Sequence, residues 1–230
     1  LKSWFNDIDF FDVPVAYTQY AKKEILKCRP DLEKKLQVIL HGNNPDHFYP
    51  LEKEKKLRFR KEYFGDNTHK FIINATNRNQ PRKDLPTLIL GFKRYKEAFN
   101  PDAFLYLHCN PTDHMGWNLY TVMEQLELKE GIDFMFPPEA YYNAGASIDV
   151  LNHIFNASDV YLTTTNGEGW GLNLTTAAAC KLPVIAPYNT SVIEMSGYGM
   201  RFVTLRELKP CINHFDSMLR TRCDIDDIAQ

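Results

Sequence analysis

Glu168 is the residue with the most specific chemistry to offer. It sits inside Thr163-Thr-Thr-Asn-Gly-Glu-Gly-Trp-Gly-Leu172, flanked by Gly167 and Gly169 with Gly171 two residues on. A glycine-rich turn that opens a helix presents unpaired backbone N–H groups and the positive end of a helix dipole, which suit a phosphate. A carboxylate in the same turn grips phosphate poorly but accepts hydrogen bonds well from sugar hydroxyls. Anion site and hydroxyl acceptor side by side point to a nucleotide-sugar. Two cations, Arg78 and Lys83, lie five residues apart between a strand-like run and a helical one. If both reach the crevice that holds Glu168, they neutralise a departing diphosphate. Arg binds two phosphate oxygens at once, whereas Lys acts as a point charge.

These residues need a scaffold, and the hydrophobic rhythm supplies one. Strand-like runs are expected at 13–18, 36–42, 70–75, 103–108, 132–136, 159–162, 182–186 and 201–205. Helical patterns are expected at 19–28, 51–64, 84–99, 119–128, 147–157 and 173–180. Strands alternating with helices of ten to fifteen residues predict an α/β fold built on a doubly wound parallel sheet. The run at 51–64 is mostly charged and reads as a solvated connecting helix. Asp224-Ile-Asp-Asp-Ile-Ala229 reads as a capped helix start with no helix behind it. The expected organisation is therefore the tail of an N-terminal domain (1–50), a linker helix (51–64) and a binding domain (65–230), cut short at its C-terminus.

The chain has 230 residues, 44% hydrophobic and 24% charged, with a formal net charge of −2. That composition suits one good core, and the charge argues against a general nucleic-acid binder. No apolar run approaches the ~18 residues a membrane span needs. The five cysteines are scattered without Cys-x-x-Cys spacing, so they are expected as reduced thiols of a cytoplasmic protein. The triplets Asp7-Ile-Asp9 and Asp224-Ile-Asp226 read as surface charge or helix capping, and no metal is expected. His41, His108 and His114 receive no role, Asp113 reads as loop surface, and Trp170 as a packing residue.

The order of these segments resembles the C-terminal half of a retaining glycosyltransferase of the GT-B fold, in the large family 4. Leu40-His-Gly-Asn-Asn-Pro-Asp-His-Phe-Tyr-Pro50 resembles that family's interdomain signature through Gly42, Phe48 and Pro50, with Asn44 where Asp is usual. Arg78-Asn-Gln-Pro-Arg-Lys83 resembles its Arg-x4-Lys turn, with Asp84 following where Gly is usual. Glu168-Gly-Trp-Gly-Leu172 resembles the first half of its Glu-x7-Glu motif, and Cys180-Lys-Leu-Pro-Val-Ile-Ala186 and Glu194 continue the pattern. The second Glu of that motif falls on Thr176, a shorter, neutral group that offers a ribose about one hydrogen bond.

The resemblance implies a hexose transferred from a nucleoside-diphosphate sugar to an acceptor hydroxyl with retention. GDP-mannose is placed ahead of a UDP-sugar on family frequency alone. Glu168, Arg78 and Lys83 would act on the reacting groups, without a metal or other cofactor. Gly169, Trp170, Gly171, Leu172 and Thr176 would hold the donor, with Phe136 and Pro137 near the base. The acceptor would be a glycan, lipid or small molecule. The protein would work in the cytoplasm, free or peripheral at a membrane through a missing domain. The rival readings are a module that binds nucleotide-sugar without transferring it, and a hydrolase or epimerase of the same fold.

Overall fold

A computed structural model describes residues 7–195, 202–212 and 217–230. Along the chain the elements are β1 (Val15–Ala16), α1 (Gln19–Cys28), β2 (Gln37–Val38), α2 (Lys53–Phe64), β3 (Phe71–Asn74), α3 (Leu85–Ala98), β4 (Ala103–Tyr106) and α4 (Leu119–Gln125). There follow β5 (Phe134–Met135), α5 (Tyr141–Ala144), α6 (Ile148–Ala157), β6 (Val160–Leu162), α7 (Leu172–Ala179), β7 (Val184–Pro187) and α8 (Thr190–Met195). Then come β8 (Phe202–Leu205), β9 (Leu208–Ile212), β10 (Leu219–Cys223) and α9 (Ile225–Ala229).

Six strands form one parallel sheet in the order β5-β4-β3-β6-β7-β8. Alternate side chains leave opposite faces of a strand, and a sheet covered on both faces needs apolar residues at every position. Ile73, Leu105 and Leu162 face one core with Leu85, Leu88, Ile89 and Phe92 of α3. Their neighbours Ile72 and Phe104 pack with Phe64 of α2 and Ile154 of α6. Tyr161 joins Trp170, Leu174 and Val184 in a third cluster on that second side.

The strand order reverses between β3 and β6. A crevice opens at such a switch point, beyond the carboxyl ends of the two strands. The loops that follow β3 and β6 carry Arg78, Lys83 and Glu168.

Outside the main sheet, β1 and β2 pair in parallel as a separate two-stranded sheet. β1 is shorter than the expected 13–18 because Pro14 lacks an N–H and Thr18 already caps α1, its hydroxyl accepting from Ala21 N at 3.0 Å. Glu194 of α8 accepts from Tyr20 N at 3.1 Å, which ties the start of α1 to the larger unit.

The helix α2, expected as a solvated linker, is anchored to the main sheet. Arg60 of α2 is buried and forks onto Asp159 at 2.8 and 3.0 Å, and it also donates to the carbonyls of Ala157, Thr68 and Lys70.

The end of the chain departs from expectation. β9 and β10 form an antiparallel hairpin that was not expected, whereas the capped helix start at Asp224 is present as the short α9, its carboxylate accepting from Asp226 N. Ile228 of α9 lies against Gly91 of α3. Arg201, the expected first residue of the last sheet strand, lies outside the described residues. Among the described residues no helix is long and apolar enough to cross a membrane.

Candidate functional site

Two adjoining cavities open at the switch point, with Asn173 in the wall of both. The smaller, about 450 Å³, is lined by Lys83, Glu168, Trp170, Gly171 and Leu172, and by Tyr17 and His41 from the N-terminal piece. The larger, about 520 Å³, is lined by Arg78, His108, Asp113, Pro137 and Tyr141 among others.

The smaller cavity holds a three-charge cluster. Glu168 accepts from Lys83 Nζ at 2.5 Å and from Arg82 Nη1 at 2.9 Å. The Glu168 side chain is 9% exposed and that of Lys83 12%. Burial acts to raise the Glu168 carboxyl, but the charges of Lys83 and Arg82 outweigh it and hold the group below its ordinary value. Burial pushes the Lys83 ammonium below its ordinary value; Glu168 opposes the shift and the Arg82 charge adds to it. The causes differ, burial for Lys83 and the two neighbouring cations for Glu168, but two cations share a single carboxylate and the cluster keeps a surplus positive charge.

The backbone adds to that surplus. Among the described residues the N–H groups of 169–173, which lead into and open α7, have no hydrogen-bond partner. Gly171 makes the turn possible. Its φ is +94°, and a Cβ there would meet Leu174 Cδ1 at 2.7 Å. The turn is held from behind by Thr190, whose hydroxyl accepts from Glu168 N at 2.9 Å, and by Ser191, which donates to Trp170 O at 3.1 Å. Asn189 of the same β7–α8 turn donates to Thr165 O at 3.1 Å.

The three groups expected to converge are divided between the cavities. Lys83 and Glu168 meet, but Arg78 lies at the rim of the larger cavity, its Nε donating to Asp113 Oδ2 at 2.9 Å. The path of the chain explains the separation. Asn77 N donates to His108 O, and Asn79 Nδ2 to Trp117 O at 2.7 Å, so the segment first leans towards the loops after β4. The 3₁₀ turn Pro81–Lys83 then brings it back, where Asn166 N donates to Arg82 O at 2.7 Å. Asp113, read as loop surface, is this arginine's partner and only 11% exposed.

Thr176 also differs from expectation. Its hydroxyl accepts from Asn43 Nδ2 at 2.9 Å and lines neither cavity. It points sideways from α7 towards the 43–51 segment, which Asn152 and Asn156 of α6 hold in place by bonding the backbone of Tyr49 and Leu51. Phe136 is core, its ring 5.1 Å from Tyr120 and 5.3 Å from Phe134, while the neighbouring Pro137 lines the larger cavity. Trp170 packs in the core and stacks at 6.2 Å on His41, and its indole N–H is buried without an acceptor. Gly169 has open space where a side chain would be.

Sequence reasoning passed over Arg82, Asn189, Thr190 and His108. Arg82 sits inside the Arg78–Lys83 motif, and Pro81 at the start of a 3₁₀ turn was the signal that would have turned it towards Glu168. His108 extends a buried chain of hydrogen-bonding groups. Tyr63 Oη lies 2.8 Å from Tyr106 Oη, which lies 2.6 Å from His108 Nδ1. Burial lowers the His108 imidazole to about 4, so it is neutral at pH 7. No three His, Cys, Asp or Glu side chains among the described residues are grouped to hold a metal ion.

No family model matches the chain. It is 25% identical over 199 residues to a probable sucrose-phosphate synthase of Thermosipho melanesiensis, a match covering 83% of this chain and 42% of the relative. The structure resembles Anabaena HepE in complex with UDP and glucose, with TM-score 0.70 and 17% identity over 86% of this chain and 50% of that one. It also resembles the sucrose-phosphate synthase of Thermosynechococcus elongatus, with TM-score 0.67 and 17% identity over 94% of this chain and 46% of that one. The glycosyltransferase WaaG gives TM-score 0.68 at 13% identity, over 94% of this chain and 51% of that one. The chain thus spans about half the length of the proteins it matches. These likenesses establish the fold, a parallel α/β sheet with helices that matches the C-terminal half of the GT-B glycosyltransferase fold.

Proposed function

We propose that this chain is the donor-binding part of a glycosyltransferase that moves a hexose from a nucleoside diphosphate to an acceptor hydroxyl with retention of configuration. The observation that carries the reading is the surplus positive charge of Arg82, Lys83 and Glu168 beside the unpaired N–H groups at the start of α7. A diphosphate fits that combination, and charge growing on it as the glycosidic bond breaks is stabilised by dipoles and cations already in place. Glu168 keeps lone pairs for hexose hydroxyls. The nucleoside takes the larger cavity beside Pro137 and His108, and Arg78 exchanges Asp113 for a phosphate oxygen at the rim. No step calls on a metal. Work in the cytoplasm is part of this reading, and the five free cysteines are compatible with it. The segment before α2 belongs, in this reading, to the acceptor domain.

HepE has been seen with UDP-glucose. That makes UDP-glucose the first donor to test, with GDP-mannose beside it. A non-catalytic binding module remains the second reading, because Thr176 is neutral and already engaged by Asn43.

Calorimetric titration with UDP, GDP, UDP-glucose and GDP-mannose tests the proposal. At least one should bind saturably, and Lys83→Ala should weaken it about tenfold or more, the worth of one charge-assisted hydrogen bond. Absence of binding by all four sinks the reading. Release of nucleoside diphosphate only when an acceptor is present separates a transferase from a hydrolase; binding with no release under either condition identifies the module.

A further inference from the structure

The larger cavity has a polar wall that the diphosphate does not need. His108 follows β4, one strand farther from the Glu168 turn than Asn77 and Arg78, and lines the cavity with Tyr141 and Pro137. Its Nδ1 is engaged by Tyr106, so the ring has Nε2 left to offer. No other hydrogen bond of this imidazole occurs among the described residues.

The direction of the Tyr106–His108 bond decides what Nε2 presents. A phenol is a far stronger acid than neutral imidazole, and an imidazole nitrogen is a better acceptor than a phenol oxygen. The 2.6 Å contact itself fits either direction, and these acidities favour the one in which Tyr106 Oη donates to Nδ1. Tyr63, 2.8 Å from Tyr106, is then free to donate to the Tyr106 oxygen. With Nδ1 accepting, the neutral ring carries its own proton on Nε2. Tyr106 is fully buried in the sheet, so water does not compete for its hydroxyl.

We propose that His108, set by Tyr106 and Tyr63 as an Nε2–H donor, selects a nucleobase that presents a carbonyl oxygen at the edge farthest from its ribose. The inference rests on the proposed nucleotide-sugar reading and deepens it. A keto base such as uracil or guanine completes the bond. Cytosine and adenine put an amino group at the corresponding position, leaving two donors facing each other and one imidazole N–H unpaired. His108 is a specificity-determining residue in this scheme, while Tyr106 and Tyr63 are positioning residues.

Two measurements test it. Nitrogen NMR of the ligand-free protein, with His108 assigned by difference from His108→Phe, should show a protonated Nε2 and an unprotonated Nδ1; the opposite tautomer overturns the proposal. Equilibrium titrations should show UDP binding about tenfold or more tightly than CDP, the cost of one donor left unmade. His108→Phe should bring the two affinities within about threefold of each other, and Tyr106→Phe should narrow the gap in the same direction. Tyr106→Phe keeps the test available if His108→Phe does not fold. Equal affinity of the wild type for UDP and CDP, or a preference that survives both substitutions, refutes the role of His108 and leaves the nucleotide-sugar reading standing. Failure of both UDP and GDP to bind removes that reading and this inference together.

Discussion

Replacing Glu168 by Gln should tighten nucleoside diphosphate binding while it shrinks or reverses the advantage of the nucleotide-sugar over the diphosphate. The wild-type carboxylate offsets one of two cations, 2.5 and 2.9 Å away, next to the N–H groups of α7. Removing its charge leaves Arg82 and Lys83 unopposed. A diphosphate seated about 6 Å from the lost charge then feels one more net positive charge. At an effective dielectric of about 40 that is worth roughly 1–2 kcal/mol, or about five- to thirtyfold tighter UDP binding. The hexose loses its charged acceptor, a loss of roughly 1.5–3 kcal/mol, so the advantage of UDP-glucose over UDP should shrink or reverse. Without ligand the variant should be less stable by about 2–4 kcal/mol, because two partly buried cations repel without a counterion. Calorimetry with both ligands at two salt concentrations, together with urea unfolding, reads all three effects. UDP binding that weakens tenfold would refute the charge argument, since it would mean the carboxylate organises the phosphate site instead of opposing it. The pH dependence has the matching sign. The folded-state value of Glu168 is depressed, so its stabilisation is present above the ordinary glutamate value and is lost as pH falls through the lower one.

Arg60→Ala should cost about 3–5 kcal/mol in urea unfolding, because it strands the Asp159 carboxylate that also accepts from Ile72 N at 2.8 Å. Its effect on UDP affinity should be small, as the pair lies at the amino ends of β3 and β6, opposite the crevice. His108 should make the protein acid-sensitive. An unfolded His binds its proton near 6.5 and the folded one near 4, so stability falls as pH drops between those values. The difference between pH 7 and pH 5 should be roughly 2 kcal/mol in denaturant titrations, and His108→Phe should remove that part of the slope.

The alternation of strand and helix was readable because a parallel sheet covered on both faces leaves continuous apolar runs. Ile72-Ile73 and Phe104-Leu105 supply both cores at once. Helix starts are fixed by caps that act locally, as Thr18, Asn118 and Ser147 do by accepting from Ala21, Thr121 and Val150, which is why the expected starts lie within a residue of the observed ones. The β9–β10 hairpin had no such signal. Leu208-Lys-Pro-Cys-Ile212 carries a proline, and its partner Leu219-Arg-Thr-Arg-Cys223 carries two arginines in five residues. Arg220 and Arg222 do alternate with Leu219, Thr221 and Cys223, but with Cys223 alone buried the pattern is too short and too polar to mark a strand. What fixes the hairpin is distant: Asn166 Nδ2 donates to Thr221 O at 2.9 Å and Arg222 Nε to Asp84 Oδ2 at 2.8 Å.

The same distinction separates the legible half of the site from the rest. Glu168 and Lys83 could be paired from sequence because each lies at the end of a loop whose strand is a neighbour in the sheet. Arg78 could not, because five residues of loop are long enough to serve either side of β3, and only the bonds of Asn77 and Asn79 to the β4 side choose between them. Asp84 shows the choice being enforced. Its φ of +48° is the left-handed conformation that glycine adopts most easily, which accounts for the glycine usual in the family it resembles. Here the strain is offset by the carboxylate, which is 1% exposed and accepts from Arg222. The residue that reverses the chain towards Glu168 is thus also the one that fastens the hairpin behind the crevice. Turn, hairpin and charge cluster depend on one another through contacts between segments up to 138 residues apart, which no local pattern can announce.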